Sequence, residues 1–449
     1  MPHPFRSPWP LVVLALLLMG SSGLRAEPPR PAGGKGAAPA AAEPGVPDAA
    51  LQARIEAVLD RAVPWLRAQQ KPGAGWMGQV VQRGTGYYQV GTSALVGLAL
   101  LSAGDRRGAR PDEGTVDRIM SACRTAMGPG ATTHARTTYD VSVLIMFTAE
   151  YWRGPVKPTA KGGTRESRGA NPCNMPPDVK AWIEELAAWL VASAKVQDDP
   201  GTPARELGGW GYPHDRPDMS NTQYALLGLR AARDCGCAVD ISGFERALEF
   251  ALAWQDQDGP KARRLLPASE PGGTPYVIEG GDRSRGWPYL PQPDGARTGS
   301  MTTAGLAVLA IAHDALLRPR ALPRYDAARQ RQVSQAIQDG FAWLDTHWTV
   351  TRNAGPGAPN WHHYYLYGLE RAAALCGRPL VGLHDWYVEG AQHLVGSQQQ
   401  DGRWSTGALG MPGEVEASDL LDTAWAVLFL KRATRPLPPV NPPVVTGGK

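Results

Sequence analysis

From residue 49 onward the apolar positions fall into two alternating kinds of segment. Between 49 and 70 they occur at Leu51, Ile55, Val58, Leu59, Ala62 and Leu66, the stripe of an amphipathic helix with one face in water. After a Gly/Pro break, Thr92 to Leu101 (TSALVGLALL) carries no charge, and a helix apolar on every side has to be surrounded by protein. The pair reads as an outer helix followed by an inner one. Aligning the later inner segments on the apolar residue seven positions downstream gives starts at Thr92, Asp140, Thr222, Thr302, His362 and Thr423. Further outer helices are expected at 113–126, 177–197, 243–255, 326–348 and 385–399, several sharing a pair such as Trp65-Leu66, Trp189-Leu190 or Trp343-Leu344. Six helical hairpins result, with connecting loops of variable length. An open solenoid keeps a solvated edge along its inner helices, so uncharged inner helices predict an all-α fold closed into an α/α toroid.

The ends of the chain read differently. Residues 1–26 carry His3 and Arg6, the apolar run Leu11 to Met19, then small residues up to Ala26, the three parts of a secretory signal. The run is too short to cross a bilayer, and no later stretch is long enough without a charge or a Gly/Pro break. Residues 27–48 and 436–449 are Pro-, Ala- and Gly-rich without an apolar period, and are expected to be disordered, leaving 49–435 as the folded ring.

Composition removes several classes of function. The 46 Lys+Arg nearly balance the 42 Asp+Glu, and loss of Arg6 and Arg25 with the signal brings the balance closer still. That leaves no electrostatic footprint for nucleic acid. Five cysteines are too few for a dense disulfide framework. In an oxidising compartment Cys123, on the second outer helix, and Cys173, entering the third, are placed to meet.

The segment LVGSQQQDGRW (Leu394, Gln398, Gly402, Trp404) resembles the glutamine-tryptophan repeat of the squalene-hopene cyclase and protein prenyltransferase superfamily. WLRAQQKPGAGW at 65–76 is a looser copy, and FALAWQDQDG at 250–259 keeps the glutamine and glycine with its tryptophan displaced, Trp287 being the candidate. The resemblance spans nearly all of 49–435. It implies an α6/α6 toroid in which Gln and Trp bind helix ends and neighbouring repeats, so Trp76 and Trp404 read first as staples.

The chemistries of that superfamily fit poorly. Its class II cyclases protonate an alkene through an Asp-x-Asp-Asp-Thr-Ala motif. The nearest match is Asp419-Leu420-Leu421-Asp422-Thr423-Ala424, where Leu421 stands at the proton donor's place and Asp422 reads as a helix N-cap. Its prenyltransferases hold zinc with Asp-x-Cys and a later histidine. No Asp-x-Cys occurs, and His362 and His363 have no sulfur partner at helix starts. The Cys-Gly-Glu-Gln run of toroidal thioester domains, a Gly-rich phosphate loop and a nucleophile elbow are absent too. No cofactor and no metal are expected.

What remains is the mouth of the ring, where the inner helices begin. Asp140, Asn221, Thr222, His362, His363 and Asp422 should converge there, with Tyr139, Trp210, Tyr212, Trp287 and Trp361 among the aromatics just upstream. The expected ligand-binding set is Tyr139, Trp210, Tyr212, Asn221, Trp287, Trp361 and His363. The long connection from Asp256 to Gly299, rich in aromatics and charges, is expected to form an ordered lid over this mouth. The leading expectation is an exported, monomeric toroid that binds a small molecule, lipid or peptide of extended apolar or mixed character. The alternative is a divergent enzyme on an isoprenoid or glycan, with Asp140, His362 or Asp422 as acid or base.

Overall fold

The computed structural model describes residues 43–71, 75–77, 89–108, 113–131, 135–153, 173–195, 207–212, 216–266, 276–292, 295–317, 325–356, 361–406 and 415–437. The expected signal segment, the linker up to residue 42 and the tail beyond 437 lie outside the described residues.

The outer helices are α1 (Ala49–Ala68), α3 (Thr115–Met127), α5 (Pro177–Ala192), α7 (Ser242–Trp254), α9 (Ala327–Thr346) and α11 (Trp386–Ser397). They alternate with inner helices α2 (Gln89–Ala103), α4 (Thr138–Tyr151), α6 (Met219–Asp234), α8 (Gly299–Leu316), α10 (His362–Leu375) and α12 (Val415–Leu430). Each inner helix packs on the next, from α2 through α4, α6, α8 and α10 to α12, and α12 packs back on α2. That closes the ring, and the fold is an α/α toroid. α1 shows how an outer helix is specified: Asp48 caps it by accepting from the Leu51 amide at 2.7 Å, and its buried residues are the six of the predicted stripe. α8 shows the inner kind, buried on nearly every side and capped by Thr298. Among the described residues no helix is long and apolar enough to cross a membrane.

The inner set is not wholly uncharged. Arg230 on α6 and Glu370 and Arg371 on α10 are all buried. Charged residues inside the ring are thus a departure from the pattern that predicted closure, and two of them have local partners. Arg230 donates to the carbonyls of Arg435 and Pro436, at 2.9 and 3.2 Å, and lies 3.3 Å from Asp234. Glu370 accepts from the Thr434 amide at 3.2 Å. Together with Arg435 against Glu150 of α4, these bonds lay the segment after α12 across the ends of α4, α6 and α10.

The glutamine-tryptophan segments bind repeat to repeat. The Gln398 amide donates to the carbonyls of Gly402 and of Val58 on α1, both at 2.8 Å. Gln70 reaches Gly75 and Thr115 of α3 in the same way, and Gln255 reaches Arg285 and Ala336 of α9. Gly75, Gly208 and Gly402 take φ of +69, +90 and +96°. A Cβ on any of them would stand 2.4 to 2.6 Å from a carbonyl oxygen of the next outer helix, so only glycine fits. Two residues later comes the staple. The Trp210, Trp287 and Trp404 indoles donate to carbonyls of Leu190, Ala251 and Leu394 near the ends of the preceding outer helices, and their backbone amides donate to Thr222, Thr302 and Thr423. In the first repeat Met77, not Trp76, holds this position, with its amide on Ser93.

Four expectations need correction. Cys173 is bonded to Cys235 after α6, with Cα atoms 5.0 Å apart, while Cys123 is a free, buried side chain on α3. Residues 43–48 are not loose linker, because the Gly45 amide donates to Asp385 at 2.7 Å and its carbonyl accepts from Arg432 at 2.8 Å. Two strands, β1 (Lys261–Leu266) and β2 (Tyr276–Arg283), form an antiparallel hairpin in the long connection. That hairpin packs on the outer helix α9 and is no lid, while further along the same connection the Tyr289 and Pro291 carbonyls accept from Met219 and Arg216 at the start of α6. Finally, α12 begins seven residues before Asp422, so Asp422 is no N-cap.

Candidate functional site

The residues of interest sit near the starts of the inner helices, Asp422 two turns into α12, because each hairpin repeats the same direction of chain. Asp140 is held at the start of α4 by the N-cap Thr137. Its Oδ1 accepts from the Gly91 amide at 2.6 Å and its Oδ2 from the Thr137 hydroxyl at 2.9 Å. Burial pushes its carboxyl up to about 7 despite both bonds. Asp218 caps α6, accepting from the Asn221 amide and side chain at 2.7 Å each and from the Tyr289 hydroxyl, and burial raises it to about 6. Two carboxyl groups at the ring mouth are therefore easier to protonate than exposed ones.

His362 and His363 open α10 and face different ways. His362 Nε2 donates to the Val350 carbonyl at 2.9 Å, and burial, then the neighbouring His363, depresses its pKa to about 4. Its Nε2 is committed to a carbonyl and its low pKa leaves Nδ1 a weak proton acceptor. His363 turns to α12, its Nδ1 3.1 Å from Asp422 Oδ1. The other Asp422 oxygen accepts from the amide and hydroxyl of Thr406, both at 2.8 Å.

Aromatic rings fill the space between these helices. Tyr139 meets Tyr224 edge-on at 5.0 Å, Tyr224 stacks on Tyr364 at 6.3 Å, and Tyr364 lies 5.3 Å from Trp425. Tyr364, on α10, also bonds through its hydroxyl to Ser220 at 2.8 Å and to the Gln223 amide at 3.0 Å, both on α6. Since α8 separates α6 from α10 in the ring, these bonds cross its interior. Trp361 stands above, edge-on to Tyr364 and Trp425 at 6.2 Å each, with 42% of its surface exposed. Deeper, Arg371 lies under the ring of Tyr367 at 4.2 Å and against Tyr224 at 5.2 Å.

The ligand-binding set divides accordingly. Tyr139, Asn221, Trp361 and His363 belong to this assembly, and Tyr212 is half-buried near Tyr139 and Tyr289, raising both phenols after burial does. Trp210 and Trp287 do not belong: both are fully buried staples whose polar atoms are spent on helix ends. Of the acid or base candidates, Asp140, Asp422 and His362 are all at the mouth, His362 with its Nε2 engaged by the Val350 carbonyl. Tyr224, Tyr364, Trp425 and Arg371 were missed. The three rings lie within inner segments, where apolar spacing marks them as core. Arg371 did carry a signal, a charge in the middle of an inner segment (YYLYGLERAAAL).

No family model and no curated protein matches the chain. Among solved structures, it is similar to cellobiose 2-epimerase from Spirochaeta thermophila, with 14% identity over 86% of this chain and 98% of that chain and a TM-score of 0.46. A type II terpene cyclase from Scytonema in complex with geranylgeranyl dihydroxybenzoate is similar at 14% identity over the same shares, with a TM-score of 0.27. Likeness at this level bears on neither substrate nor reaction.

Proposed function

We propose that this is an exported toroid that binds an extended ligand of apolar or mixed character at the end of the ring where the inner helices begin. The observation that carries the reading is Trp361. It precedes α10 with φ 67° and ψ 32°, a left-handed conformation that costs a non-glycine residue about 1–2 kcal/mol. The cost holds a large indole partly in water, backed by Tyr364 and Trp425, where a buried rotamer would have been the cheaper use of tryptophan. An exposed ring over an aromatic bed, with Ser220, Asn221 and Gln223 as polar groups beside it, has the make-up of a ligand site. Export is supported by the signal-like reading of residues 1–26 and by the Cys173–Cys235 disulfide, which suits an oxidising compartment.

The test is a titration with N-phenyl-1-naphthylamine, a neutral apolar fluorophore. Wild type should bind it saturably, and Trp361→Ala should bind at least tenfold more weakly with unchanged helicity. Absence of saturable binding, or a Trp361→Ala variant that binds as wild type does, removes the reading. The signal reading predicts that secreted protein begins at or near Glu27, which N-terminal sequencing checks.

A second reading is favoured by one contact, the 3.1 Å between His363 Nδ1 and Asp422 Oδ1. The two atoms are within ion-pair reach without hydrogen-bond geometry, and a turn of the imidazole that closed the bond would leave the other ring nitrogen for proton transfer. Leu421 occupies the cyclase donor's place, so wild type should convert no squalene. Cyclic products from wild type that vanish in Asp422→Asn would replace the binding reading with the enzymatic one.

A further inference from the structure

We propose that Arg371 receives the acidic end-group, carboxylate or phosphate ester, of the ligand taken at the mouth, which makes that ligand an anionic amphiphile. The proposal rests on the mouth reading above and narrows it. Arg371 lies on α10 inside the ring with no exposed surface, and none of its three side-chain nitrogens has a hydrogen-bond partner. No carboxylate among the described residues lies within ion-pair distance of it. Its neighbour Glu370 is turned to the Thr434 amide instead.

Elsewhere the chain pairs its buried and half-buried arginines. Arg230 has Asp234 and two carbonyls, Arg285 has Asp339 at 2.6 Å, and Arg378 has Gln338 at 2.6 Å. Arg371 has only tyrosines, the rings of Tyr367, Tyr224 and Tyr364 at 4.2, 5.2 and 5.8 Å, with the Tyr224 and Tyr367 phenols beside the guanidinium but outside hydrogen-bond geometry. Ring faces attract the charge but accept none of the five N–H bonds in its plane. The free edge of a guanidinium is a planar fork that matches a carboxylate or phosphate with two parallel bonds. Three further buried atoms lack partners on the α6 side of the same interior: Tyr224 Oη, Gln223 Oε1 and Asn221 Oδ1. They follow the first two turns of α6, between the mouth and the depth of Arg371, and the two amide oxygens suit hydroxyl or N–H donors along the ligand. Because Arg371 touches no solvent, the acidic group reaches it by displacing the stacked pair of Tyr224 and Tyr364.

The test uses octanoate, octyl phosphate, octanol, octylammonium and inorganic phosphate, titrated against the full chain with tryptophan fluorescence as the readout. Octanoate and octyl phosphate should bind at least tenfold more tightly than octanol, octylammonium more weakly than octanol, and inorganic phosphate not at all. In Arg371→Met the preference for anions should disappear while octanol affinity stays within twofold, and the ligand-free variant should melt no lower than wild type. Should Arg371→Met fail to fold, Arg371→Lys keeps the charge but not the fork, and should lose affinity for octanoate and octyl phosphate but not for octanol. Equal binding of octanoate and octanol by wild type, or an anion preference that survives Arg371→Met or is unchanged in Arg371→Lys, overturns the proposal while leaving the mouth reading intact. Failure of octanol and of the neutral fluorophore to bind overturns the mouth reading and this proposal with it. Inorganic phosphate binding as tightly as octyl phosphate overturns the amphiphile in favour of a small free anion.

Discussion

Asp140 shows what a single buried carboxyl does to the pH response of the ring. Its folded pKa of about 7 lies above its unfolded value of 3.8, so between about pH 4 and 7 the native state holds a proton that the unfolded state has released. Stability contributed by that proton is full below the unfolded value and is lost as pH rises through the folded one. Asp140→Asn keeps an acceptor for the Gly91 amide and removes the titration. Relative to that variant, wild type should lose up to roughly 4 kcal/mol between pH 4 and 8, taking 1.36 kcal/mol per pKa unit. Chemical denaturation at several pH values reads the difference, and a gap that does not change with pH contradicts it. His362 works in the opposite direction, since its lowered pKa makes stability rise with pH between about 4 and 6.5. Placement of Asp140 at the mouth was readable from its position at the start of an inner segment. The pairing of His363 with Asp422 was not, because it depends on which inner helices are ring neighbours. Nor was the bond of His362 to the Val350 carbonyl, which a loop between two helices supplies.

Among elements, the joints between repeats carry the most transferable lesson. The joint of α11 with α1 combines a glutamine that reaches the next outer helix, a left-handed glycine pressed on that helix and a ring that closes the previous one, and the other described joints keep parts of this set. Gln398→Ala should remove two bonds to backbone carbonyls at the seam between α11 and α1 and lower stability by about 1–3 kcal/mol. Trp76→Ala, off the staple position, should cost less than Trp404→Ala, and melting temperatures of the two variants check the order. Breaking the bond between Cys173 and Cys235 by Cys235→Ser should cost about 2–4 kcal/mol, and peptide mapping without reduction should find Cys123 free. Helix order, the inner-outer alternation and helix limits within a few residues, the early start of α12 at Val415 excepted, were recoverable from apolar spacing. The hairpin of β1 and β2 was not. Lys261 to Leu266 has no alternation of apolar and polar positions, and the hairpin is tied down by charges, Arg264 with Asp282 and the Arg283 amide with Asp339 of α9. An apolar period cannot report an element that docks through ion pairs. The cysteine pairing failed for a related reason, as spacing along the chain does not say which connecting loops share an end of the ring.

On the scale of the whole molecule, the ring is shut in two ways. Laterally, α12 packs on α2, and α1 fits against α11 and α12. At the end away from the mouth, the segment after α12 crosses from α10 to α6 and α4 through Thr434, Arg435 and Pro436. The lateral seam also fixes where the chain enters and leaves. Gly45, just before α1, is bonded to Arg432, just after α12, across a sequence separation of 387. A ring whose first and last repeats are neighbours has no repeat that must come first. Joining residue 43 to residue 437 by a short Gly-Ser linker and opening the chain between Leu317 and Tyr325 would turn the fourth hairpin's exit into the new start and leave every helix contact available. Such a circular permutant should fold to the same helicity and melt in one transition, whereas an open array with its order of repeats rearranged would be left with two unmatched faces.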